Sequence, residues 1–124
     1  MNNNHITSVS CKWNKKMNDV QTDDFFLSIT EYDNSREEIV KSKIKNLGFY
    51  IDTYGQLTIA FEIHRTESSD SWVALDYAIY DERGKIRETG QAGCLHDGFN
   101  SKPFTHAIFE IKPSKIAKIK LFWS

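Results

Sequence analysis

Between Leu57 and Tyr80 the chain alternates with a period of two. Leu57, Ile59, Phe61 and Ile63 interleave with Thr58, Ala60 and Glu62; after a polar break, Val73, Leu75, Tyr77 and Ile79 interleave with Ala74, Asp76 and Ala78. Successive side chains of a strand point to opposite faces. Both segments are therefore expected to be strands that turn their large apolar set to one core. With shorter runs of the same kind, strands are expected in all near Thr7–Trp13, Phe25–Tyr32, Leu47–Asp52, Gln56–Arg65, Trp72–Tyr80, Lys85–Ala92, Phe104–Ile111 and Ile116–Trp123.

The breaks between these runs have mechanisms. Asp81-Glu82-Arg83-Gly84 and Thr53-Tyr54-Gly55 read as hairpin loops with the glycine in the left-handed region. Pro113 pre-sets φ for a turn and is excluded from a central strand. Residues 14–24 are the longest polar stretch, rich in Asn and Asp, and read as a surface loop. Residues 36–46 carry two patterns. Ser35 and Glu38 have capping-box spacing, and Val40, Ile44 and Leu47 recur at helical intervals, with Gly48 as a stop. Lys41, Lys43 and Lys45 alternate with Ser42 and Ile44, as on an edge strand that discourages pairing with other chains. The strand is the preferred reading, because Phe25–Tyr32 otherwise lacks a partner.

Together these elements predict an all-β fold: a two-layer antiparallel β-sandwich, immunoglobulin- or fibronectin-III-like, with an N-terminal extension of strands or one short helix. The 124 residues suit a single domain over 1–124. Surface scaling at 14.4 kDa gives about 6,800 Å² folded against about 21,000 Å² unfolded, enough burial for one core without staples.

Charge narrows the classes of partner. Sixteen basic and 17 acidic side chains leave a net charge of −1, without the basic surplus that phosphate neutralisation draws on, so no nucleic-acid partner is expected. The local excess at Lys112, Lys115, Lys118 and Lys120 reads as a solvated strand face and turn. No apolar run reaches the ~20 residues of a membrane span, and the Met1-Asn2-Asn3-Asn4-His5 start has no signal-peptide pattern. Two cysteines do not make a disulfide framework, so Cys11 and Cys94 are expected to be reduced, in a cytoplasmic protein.

Candidate chemistry is sparse. His5, His64, His96 and His106 are scattered, and no Gly-rich phosphate loop, H-E-x-x-H or G-x-S-x-G occurs. Cys94-Leu95-His96-Asp97, in the loop Gly93–Lys102, is the one compact cluster; with His106 it could supply a nucleophile and base. Its plainer reading is a solvated loop with a half-buried thiol. No cofactor or metal is expected. Two aromatics stand out for a different reason. Trp72 is out of phase with Val73, Leu75, Tyr77 and Ile79, and Phe122 with Ile119, Leu121 and Trp123. Both should point away from the core, beside Ala74, Ala78, Lys118 and Lys120, where exposed aromatics are enriched at partner surfaces. The last strand is expected to lie uncovered.

Gly55–Ile63, Ala78–Ile86, Phe109-Glu110-Ile111 and Ile119-Lys120-Leu121 occur in the same order as in bacterial FxLYD-type and related immunoglobulin-like modules, and the chain from Leu47 onward resembles them. The piece Tyr80-Asp81-Glu82-Arg83-Gly84 is similar to their "tyrosine, acidic, acidic, x, glycine" hairpin. The resemblance implies a non-catalytic module, often part of a cell-envelope protein. The immunoglobulin Cys…Trp…Cys arrangement is missing. Two functions remain open: an interaction module that binds a protein partner or a second copy of itself, and a ligand-binding or hydrolytic sandwich working through the Gly93–Lys102 loop.

Overall fold

The two alternating segments are neighbours in the core but belong to different sheets. A computed structural model of the chain describes residues 12–67, 72–96 and 101–124, the last stretch with side chains from Thr105 onward. The elements are α1 (Asp19–Ser28), β1 (Thr30–Asp33), α2 (Glu37–Val40), β2 (Ser42–Ile51), β3 (Leu57–Arg65), β4 (Val73–Tyr80), β5 (Ile86–Leu95), β6 (Ser101–Ile108), a 3₁₀ turn (Pro113–Lys115) and β7 (Lys118–Trp123). They form a two-layer β-sandwich. One sheet has the order β1-β7-β4-β5 and the other β2-β3-β6.

Leu57, Ile59 and Ile63 of β3 meet Leu75 and Ile79 of β4 and Ile119 and Leu121 of β7 in one core, all fully buried. Burying such side chains stabilises the fold by about 1.5–3 kcal/mol each. The layers approach closely at Gly93, where a Cβ would stand 2.1 Å from Thr105 Cγ2 and 3.0 Å from Phe61 Cζ. Only a residue without a side chain fits there. Near the other end of β5 the sheets are tied by Glu88. Its carboxylate accepts from Tyr77 Oη at 2.7 Å and from the amides of Glu110 and Ile111 at 3.0 and 2.8 Å. Burial, then Glu88, push the Tyr77 phenol well up. A second tie runs Trp123 Nε1 to Tyr32 Oη (2.8 Å) and Tyr32 Oη to Glu37 (2.5 Å), joining β7, β1 and α2.

Several expectations are corrected. Residues 19–24, read as part of a loop, open α1. Asn18 caps it, accepting from the Gln21 amide at 2.8 Å while Gln21 Oε1 accepts from the Asn18 amide at 3.0 Å. The helix buries Thr22 and Phe26, one turn apart. It also takes most of the expected Phe25–Tyr32 strand, leaving β1. That strand pairs parallel to β7, Thr30 opposite Ile119, so the four-stranded sheet is not purely antiparallel. Residues 36–46 divide. Glu37–Val40 is one helical turn ended by Lys41 at φ 56°, and β2 then runs from Ser42 to Ile51. Its Lys43 and Lys45 are exposed, as the edge-strand reading required. Gly48 stops nothing: it lies inside β2, past a register shift where Asn46 takes φ 56°. The last strand is not uncovered either, for β7 pairs with β1 on one side and β4 on the other. The expected strand Phe104–Ile111 is displaced to Ser101–Ile108, an edge strand whose Pro103 falls in a register shift. Trp13 lies outside any strand, while residues 7–11 of the expected Thr7–Trp13 strand lie outside the described residues.

The turns match their expectations: Gly55 and Gly84 have φ of 79° and 77°, and each amide bonds back to an aspartate carbonyl, of Asp52 and Asp81.

Candidate functional site

On the outer face of the four-stranded sheet, the pairing register sets side chains in rows. Phe122 of β7 stands between Asp33 of β1 and Asp76 of β4, and Asp76 stands opposite Gln91 of β5. The next row is Glu31, Lys120, Ala78 and Thr89. On the other side of Asp76, Ala74 faces Cys94. Trp72 precedes β4 on the parity of Ala74 and is 51% exposed. Thus Trp72, Phe122 and Cys94, distant in sequence, are brought onto one sheet face, with His96 just past the end of β5. Phe122 is half-buried and on the outer side as its phase predicts, while Ile119, Leu121 and Trp123 are buried inside. Alanines at 74 and 78 are too short to rise above their neighbours and are themselves buried.

The charges here are mostly used up within the chain. Lys118 Nζ is 3.2 Å from Glu31 and 5.2 Å from the Tyr80 ring centre. Hydrogen bonds from Ser35 hold the Asp33 carboxyl below the usual range, with help from Lys120 and Arg36. Asp76 is different. Among the described residues it has neither a hydrogen bond nor an ion pair, and burial alone raises its pKa. Sequence reading passed over it, although an acid between two alanines on a central strand is itself a signal.

Cys94 Sγ lies 3.6 Å from His96 Nε2, and Cys94 is a free, half-buried thiol. His106 does not join them. It alternates with the inward Thr105 on β6 and so stands on the outer face of the other sheet, opposite Ala60. The expected Gly93–Lys102 loop is shorter than read, since Gly93–Leu95 belong to β5 and Ser101 and Lys102 to β6; Asp97, like Cys11, lies outside the described residues. Among the described residues, no three His, Cys, Asp or Glu side chains are placed to hold a metal ion.

His106 lines a shallow hollow of about 330 Å³ with Tyr50, Ala60 and Glu62. Tyr50 and Ile108 flank Thr58 there and shade it, which is why Thr58 is buried despite its outward phase. Glu62 accepts from Asn46 Nδ2 at 2.6 Å and pairs with His64 Nε2 at 2.7 Å, contacts that hold its carboxyl below the usual range. A larger cleft of about 660 Å³ opens between residues 13–22, the β2–β3 turn and residues 110–114, lined by Trp13, Met17, Tyr54 and Pro113.

No family model matches the chain, and neither a curated protein nor a solved structure matches it. No described helix is long and apolar enough to cross a membrane.

Proposed function

We propose that the protein is a non-catalytic β-sandwich interaction module that binds a protein partner through the outer face of its four-stranded sheet. The observation that carries this is that one sheet face holds Phe122 beside Asp76, Cys94 opposite Ala74 in the next row, and Trp72 exposed beyond them. An aromatic beside an acid, with a second aromatic farther along the same face past a small alanine, offers apolar area and one orienting polar group. The resemblance to immunoglobulin-like bacterial modules agrees with this use. The balanced charge supports a partner other than nucleic acid, and the sparse cysteines support a reducing cytoplasm. The hydrolytic alternative has the Cys94–His96 contact in its favour, but His106 is on the opposite sheet.

Selection of displayed peptides against the immobilised full chain tests the proposal, with Phe122→Ser and Trp72→Ser as competitors. Peptides that bind the native chain and lose binding to both variants support the face. If nothing enriches, or the enriched peptides bind the variants equally well, the proposal fails.

A further inference from the structure

Asp76 occupies an unusual position. It is at the middle of a central strand, with Ala74 and Ala78 before and after it, Phe122 opposite on β7 and Gln91 opposite on β5. Directly opposed residues on adjacent strands have Cβ atoms about 4.5–5.5 Å apart, so Phe122, Asp76 and Gln91 form a continuous row. A carboxylate in partly apolar surroundings costs free energy unless it is paired. Of the chain's own lysines on this face, Lys118 pairs with Glu31, and Lys120, opposite Ala78, makes no ion pair with Asp76.

We infer that the row Phe122–Asp76–Gln91 receives an arginine side chain of the protein partner. The inference rests on the proposed interaction face and names what that face selects. A guanidinium is planar and weakly hydrated, so it can lie against Phe122. Its fork presents two N–H groups to Asp76 and leaves another for the Gln91 side-chain oxygen. A lysine ammonium fits less well, being a strongly hydrated point charge with no flat surface. A metal ion is disfavoured because a single carboxylate and an amide are too few ligands.

The test is a heteronuclear NMR titration of the full chain with N-acetyl-arginine-methylamide, and in parallel with the citrulline analogue, its uncharged near-isostere. The expected result is saturable shifts confined to residues 74–78, 89–91 and 120–122 with the arginine probe. Binding of the citrulline probe should be weaker by about tenfold or more, the loss of one charge-assisted hydrogen bond. Asp76→Asn should abolish the preference, and Gln91→Ala should reduce it, with shifts elsewhere in each spectrum intact. No saturable shift in this row, equal binding of the two probes, or an undiminished preference in Asp76→Asn overturns the inference. Peptides that depend on Phe122 but contain no arginine would likewise overturn it while leaving the interaction face standing.

Discussion

Each sheet carries one acid on the outer side of a central strand, and the two acids are treated in opposite ways. Glu62 on β3 is held by Asn46 and His64, and its carboxyl is stabilised in the charged form. Asp76 on β4 has neither kind of partner among the described residues, and burial disfavours its charge. On the β2 edge of the three-stranded sheet one amide is likewise satisfied from within: Asp23 of α1 accepts the Phe49 amide at 2.7 Å. A polar group that the chain satisfies itself contributes to the fold. One left unsatisfied on an accessible face lowers stability and is retained where function requires it.

The largest expected effect separates the two sides of a single strand. Leu75→Ala empties a fully buried site and should lower stability by about 2–5 kcal/mol. Its neighbour Asp76→Thr puts a strand-favouring residue on the outer side and should raise the melting temperature. Urea denaturation of the two variants would show opposite shifts in midpoint; a loss in both would mean Asp76 is engaged in the fold.

Asp23→Ala comes next. It strips the acceptor from the Phe49 amide and should cost about 1.5 kcal/mol or more, the range for hydrogen bonds to charged groups. Hydrogen exchange at Phe49 should accelerate well beyond that at Ile59, its neighbour across the ladder. Equal acceleration at both would make the effect global and deny Asp23 a local edge role.

Smaller still is Glu62→Gln, a surface change whose direction is the informative part. It should weaken the fold slightly near neutral pH, read as a small drop in melting temperature, and Asn46→Ala should weaken it less in the Glu62→Gln background than alone.

The alternation of β3 and β4 was legible because a buried strand face must be apolar at every second position, and it led directly to the two layers. The glycine turns were legible because positive φ is costly for other residues. Helix α1 was not. Its inward residues are Thr22 and Phe26, only one of them strongly apolar, and the capping pair Asn18–Gln21 uses types common in loops. β2 was split in the reading, between residues 36–46 and Leu47–Asp52, because its bulge at Asn46 breaks the period. The parallel pairing of β1 was out of reach, since nothing local specifies a partner some 90 residues away. For the site, phase alone sent Trp72 and Phe122 outward. Asp76 was missed because its interest lies in what surrounds it, which only the register of three strands reveals.

The contrast between the two acids is tested most directly by stability as a function of pH for Asp76→Asn and Glu62→Gln against the native chain. Asp76 has a folded pKa above its ordinary 3.8, so its charge opposes folding once pH rises through that raised value, and the penalty fades below 3.8. Glu62 has a folded pKa below its ordinary 4.5, so its contribution is full above 4.5 and is lost as pH falls through the lowered value. The expected result is two difference curves that diverge as pH rises, Asp76→Asn becoming relatively more stable than the native chain and Glu62→Gln relatively less. Curves that run in the same direction, or an Asp76→Asn curve that falls with rising pH, would contradict the claim that one acid is satisfied by its own chain and the other awaits a partner.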